Sequence, residues 1–147
     1  RLDESPTTSD PITIAPYPLT ETIEQPTETA TAAAPDPSHR ELQNAFNAHR
    51  SNLQIRGKAE VYRVLTDDNK GSRHQRFLLR TSTGQSILVA HNIDLAPRIP
   101  GIKLGDTVEF YGVYEYNGKG GVIHWTHHDP GGRHEGGWLH HNGYTYQ

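Results

Sequence analysis

Thr107–His127 reads TVEFYGVYEYNGKGGVIHWTH. Its first half alternates: Val108, Phe110 and Tyr114 fall on the even positions and Glu109, Tyr111 and Glu115 on the odd. This is the period-2 pattern of a half-buried strand. Asn117-Gly118 is the dipeptide of a tight hairpin turn. Gly121–His127 then alternates again, with Ile123 and Trp125 on one side and His124 and Thr126 on the other. Two strands joined by such a turn set the class of the chain as mainly β. Gly112, in mid-strand, suits a sharp bend in a closed barrel.

Upstream, three more strands are expected. Gly57–Leu65 (GKAEVYRVL) is followed by a turn at 66–72 (TDDNKGS), where Asp, Asn and Gly favour tight geometry. Arg73–Thr81 (RHQRFLLRT) and Gln85–His91 (QSILVAH) come next, separated by Ser82-Thr83-Gly84. Residues 92–100 (NIDLAPRIP) hold too much proline for a strand and are expected to form a short helical turn. Five short strands with a connector between the third and fourth follow the order of a small OB-fold-like barrel. One helix precedes them, over about residues 39–51, with Ser38 as N-cap and Glu41 reaching back in a capping box. Leu42, Ala45, Phe46 and His49 share its inner face.

Composition divides the chain. Residues 1–37 are rich in Thr, Pro, Ala and acid and carry seven carboxylates against Arg1. Such a segment buries too little apolar surface to offset chain ordering, so an extended or disordered arm is expected. Within it, residues 10–19 (DPITIAPYPL) read either as part of a loose leader or as an edge strand that docks on a barrel or joins two copies into a homo-oligomer. Residues 38–147 form the expected barrel domain, with 13 bases, 10 acids and all ten histidines. A domain of that balance can meet a polyanion, more strongly once histidines protonate. Cysteine is absent, so disulfides and thiolate metal ligands are excluded. No apolar run reaches the roughly 20 residues of a membrane span. The Thr/Pro/Ala-rich start is of the kind found after an export signal, so a periplasmic or extracellular location is expected.

Alternation also sorts the polar residues. Phe77 and Leu79 are assigned to the core. His74, Arg76 and Arg80 then face outward, in company with Leu78. His124 and His128 face outward from the fifth strand. Arg73, Arg76, Arg80, His91, Asn92, Arg98 and His124 are therefore the candidate ligand-binding residues. On a barrel of this type they suit an anionic polymer, nucleic acid and DNA above all. Tyr62, Tyr114 and Tyr116 are candidate base-stacking platforms.

Gly120–His141 (GGVIHWTHHDPGGRHEGGWLHH) holds six of the ten histidines and both tryptophans. His127, His128, Asp129 and His134 lie at a turn and are the candidate ligands for a divalent metal such as Zn, Cu or Ni. His124 and His128 would sit roughly 13 Å apart on an extended strand, too far to share an ion. A metal-bound water activated by Asp129 or Glu135, or metal-free acid–base chemistry by His74 and His128, would make the domain a phosphodiesterase or nuclease. The plainer reading is that these histidines hydrogen-bond a glycine-rich tail wrapped outside the barrel, tied down by Trp138, Tyr144 and Tyr146. A third reading is a structural subunit joined through its arm. The residues by themselves do not decide whether the chain is an enzyme.

Four segments, RHQRF (73–77), AHNIDLAPR (90–98), GDTVEFYG (105–112) and GGVIHWTHHDPGGRH (120–134), resemble a family of small exported bacterial proteins classed as a domain of unknown function. The resemblance covers about Gly57 to Gln147 and leaves out the arm. It implies export and one small domain, and it implies no chemistry.

Overall fold

In the computed structural model, residues 35–147 are described; all but the last three residues of the expected arm, its 10–19 segment included, lie outside them. Helix α1 spans Pro37–Asn47. Proline at the first helical position lacks only an N–H that would have no partner there, so Asp36 becomes the N-cap and accepts the Ser38 amide at 3.0 Å. This corrects the expected Ser38 cap and starts the helix two residues earlier. The helix also stops short of residue 51, because His49, just past its end, turns the chain with positive φ. Leu42 and Ala45 are buried in the same core as the strands.

The strands are β1 (Leu53–Val64), β2 (His74–Arg80), β3 (Ser86–Asn92), β4 (Thr107–Glu115) and β5 (Val122–His124). They run in the order β1-β2-β3-β5-β4, and β1 pairs with β4 to close the barrel. The first part of β1 pairs with β4 from Leu53 to Glu60, and its end pairs with β2 from Glu60 to Val64. A single long strand thus serves both sides of the closure, as an OB-type barrel requires. β3 and β5 are parallel, with Leu88 opposite Val122 and Val89 opposite Ile123. Phe77, Leu79, Ile87, Val89, Val108, Phe110, Tyr114 and Ile123 fill the interior with no exposed surface. The assignment of Phe77, Leu79 and Ile123 to the core therefore stands. Tyr114 does not remain available for stacking: it is wholly inside, its hydroxyl donating to Gly120 O at 2.9 Å.

The connector at 93–106 makes turns but no helix. Its buried Ile99 is clamped by Gln75, which donates to the Ile99 carbonyl and accepts its amide, both at 2.9 Å. One side chain satisfies both backbone groups where prolines 97 and 100 break regular pairing.

The fifth strand is shorter than the pattern predicts. It ends at His124 because Trp125 takes φ 56, which breaks the alternation. Trp125 is consequently only half-buried, while Thr126 and His127 turn inward. The chain leaves the sheet over residues 125–137 and returns as β6 (Trp138–His141), which pairs with the Glu109–Tyr111 part of β4. A final strand, β7 (Tyr144–Tyr146), pairs with β6. The tail is thus part of the sheet and not a wrapping outside it. Gly137 makes the return possible: a Cβ there would lie 2.2 Å from Trp125 O and 2.4 Å from Tyr111 O. Leu139 from β6 joins the core.

Candidate functional site

The outer surface of β1, β2 and β3 carries a pocket bearing chemistry. Leu78 and Leu88 are directly opposed across β2 and β3, and their side chains face away from the core. With Leu65 they give an apolar lining to a cavity of about 400 Å³. Tyr62 reaches it from β1. The register between β1 and β2 slips between Val61 and Arg63, so Tyr62 is the extra residue of a bulge, a device that re-aims a side chain.

Tyr62 is held on two sides. Its hydroxyl bonds to Ser86 Oγ, and the Arg80 guanidinium lies 4.1 Å from its ring centre. The Ser86 hydrogen bond, with Arg80 beside it, sets the phenol below its ordinary pKa. A cation over an aromatic face is attractive in itself, and it fixes the ring as a platform. Arg76 and Lys119 supply positive charge around the cavity, and Asn117 and Gly121 line it from the β4–β5 loop. Arg76 also borders an open depression of about 530 Å³ over Asp67, Asp68, Asn69 and Lys70 of the β1–β2 loop. The two hollows therefore meet at one arginine.

The remaining expected ligand-binding residues are distributed differently. Arg73 is engaged by Asp94 through its amide and its Nε, both at 2.8 Å, and these bonds hold the Asp94 carboxyl below its usual pKa. Arg98 pairs with Asp67. Arg76 donates one N–H to Thr66 O at 3.0 Å, which leaves its terminal nitrogens for a ligand. Asn92 accepts the Asp94 amide. His124 pairs with Glu115 at 3.2 Å.

His91 is a correction: it is fully buried and cannot touch a ligand. Its Nε2 donates to Pro97 O at 2.9 Å and its Nδ1 accepts from Thr126 Oγ1 at 2.7 Å. Burial pushes its pKa down to about 4, so it is neutral at physiological pH.

Of the expected metal set, His127, Asp129 and His134 are engaged in hydrogen bonds within the 125–137 loop. Asp129 Oδ1 accepts the Gly131 amide at 3.0 Å, and its Oδ2 accepts the amides of Arg133 and His134, both at 2.7 Å. These bonds hold its carboxyl below the usual range; they staple the 125–137 loop and occupy both oxygens. His127 is buried with Nδ1 on His128 O, and His134 turns Nδ1 to Glu135 O. Among the described residues no three His, Asp or Glu side chains gather as a metal site. The Trp125 ring lies tilted against those of His127 and His134, with centroids 5.1 and 4.2 Å away. His74, at the mouth of β2, bonds Ser72 O, while the exposed His128 lies in the separate 125–137 loop; no hydrogen bond joins them among the described residues.

The histidine density has a structural explanation at several positions. His141, almost wholly buried, bonds Asp106 at 2.8 Å and ties β6 to the connector. His140 bonds Thr145 across the β6–β7 hairpin. His39 accepts the Ser82 amide and donates to Lys58 O, linking α1 to the barrel.

Sequence reasoning missed Lys119, Asn117, Ser86, Leu65 and Leu88 as members of one pocket. The signal present was Leu78, an apolar side chain on the face assigned outward.

No curated protein matches the chain. Residues 27–147 match the family described as Protein of unknown function (DUF3465), and the chain belongs to that family.

Proposed function

We propose that the outer face of β1–β3 binds single-stranded nucleic acid, DNA in the first instance. The observation that carries this reading is the Tyr62–Arg80 pair, set on a strand bulge beside a pocket with a leucine floor and cations at its edge. A nucleotide needs these parts together: a π-face for the base, apolar surface beside it, and cations for phosphate. The position agrees with the surface that OB barrels use, between the β1–β2 and β4–β5 loops. A duplex keeps its bases stacked inside and offers nothing to a tyrosine platform, so single strands are the better ligand.

Fluorescence anisotropy with a labelled single strand and its duplex tests this. Tighter binding of the single strand, weakened by Tyr62→Ala and by Arg80→Ala, is expected. Equal affinity of wild type and both variants would refute the site. A denaturing gel of the same mixtures, with divalent metal and with EDTA, tests cleavage; intact strands are expected. We also propose, from the family resemblance, that the protein acts outside the cytoplasm, which fractionation of the producing cells tests.

A further inference from the structure

Resting on that reading, we infer that the pocket beside Tyr62 selects a keto pyrimidine, thymine or uracil, over cytosine through Asn117 and Lys119. Asn117 Oδ1 accepts the amides of Lys119 and Gly121, both at 2.9 Å. Those two bonds determine which side of the carboxamide is oxygen, and they leave Nδ2 as two N–H donors without a bond among the described residues. Lys119 lines the same pocket and has no carboxylate partner among the described residues. Its ammonium can only donate. Arg76 adds further donors.

Three acceptors of the lining residues are engaged. Gly121 O accepts the Leu88 amide at 3.0 Å, and Arg76 O accepts the Leu65 amide at 3.1 Å. Ser86 Oγ is bonded to the Tyr62 hydroxyl. In the adjoining β1–β2 loop, Asp67 pairs with Arg98 and Asp68 Oδ1 accepts the Lys70 amide. The β4–β5 end of the pocket therefore presents the Asn117 amide N–H groups and the Lys119 ammonium as donors.

A ligand edge made of acceptors is matched there, and an exocyclic amine is not. Thymine and uracil carry oxygen at position 4, where cytosine carries an amine. With cytosine, the amine would face an ammonium or an amide N–H, and each would lose a hydrogen bond that water supplies in the free state. Ring size and phosphate charge are the same in the two pyrimidines; they differ also at N3 and in the thymine 5-methyl group, so the Asn117 and Lys119 variants, not the wild-type ratio by itself, assign the preference to this contact.

The test is anisotropy with dT12 and dC12 on wild type, Asn117→Asp and Lys119→Ala. Aspartate retains an oxygen for the two turn amides and exchanges the free donor for an acceptor. Circular dichroism and a thermal melt establish that each variant is folded, and Lys119→Ala covers the case in which the turn does not tolerate aspartate. Wild type is expected to bind dT12 at least about fivefold more tightly than dC12, the worth of one such bond. The ratio is expected to fall toward one in both variants, whatever the change in overall affinity. Equal binding of dT12 and dC12 by wild type, or a ratio unchanged in both variants, overturns the selectivity while single-strand binding and its dependence on Tyr62 stand. Failure to bind either strand removes the selectivity and the proposed function together.

Discussion

Lowering the pH from 7 to 5 should destabilise this barrel through His91. The imidazole is fully buried, between Thr126 of the 125–137 loop and Pro97 of the connector. Its folded pKa is about 4, from burial first, against about 6.5 in an unfolded chain. Because the folded value is depressed, the unfolded state takes up the proton first as the pH falls. Stability is then complete above the unfolded pKa and is lost progressively down to the folded one. Between pH 7 and 5 this linkage amounts to about 2 kcal/mol. Asp94, Asp106 and Asp129 have depressed pKa values. Their contribution is present above the unfolded carboxyl pKa and is lost only as pH falls below about 4, outside this window. Urea titrations followed by fluorescence of Trp125 and Trp138 at pH 7, 6 and 5 give the measurement. His91→Gln retains a donor and an acceptor but does not titrate, so its loss of stability across the range should be smaller than that of wild type by about the size of this linkage. A flat wild-type profile, or an equal slope in His91→Gln, would refute a buried neutral imidazole at this position.

Tyr62→Ala should weaken single-strand binding about five- to hundredfold, the range for loss of one stacked base, and titration by anisotropy reads it. With Arg76 and Arg80 as the proposed phosphate contacts, the slope of log affinity against log salt should be about −1.4 on a single strand, with Arg76→Ala reducing its magnitude by about 0.7. Gly57→Ala should cost about 1–3 kcal/mol in a urea melt, because its Cβ would fall 2.0 Å from Ser38 Oγ and 2.4 Å from Ser38 Cβ, where α1 rests on β1. Leu42→Ala should cost about 2–5 kcal/mol in the same assay, as a fully buried leucine does; a loss under 1 kcal/mol would show that the helix is not part of the barrel core.

The alternation of Phe77, Leu79, Ile87, Val89 and Phe110 by itself determined the strands, their inward faces and the barrel class, because a pleat has one period and one buried side. The helix was legible from Leu42 and Ala45, and its start was misread only because Pro37 moves the cap to Asp36. Two things were decided in the tertiary structure alone. The first is the path after His124. One residue at positive φ, Trp125, cancels every face assignment downstream, and a pattern of alternation does not contain a backbone reversal. That is why Thr126 and His127 are inside and why the tail becomes β6 and β7. The second is which polar groups remain unpaired. Arg73 and Arg98 read the same as Arg76 and Arg80 along the chain, yet Asp94 and Asp67 reach the first two across loops. His91 lies on the buried face of β3, and the burial that makes it neutral comes from elements distant in sequence. Side-chain type belongs to the chain, but desolvation and ion pairing depend on what the fold brings alongside.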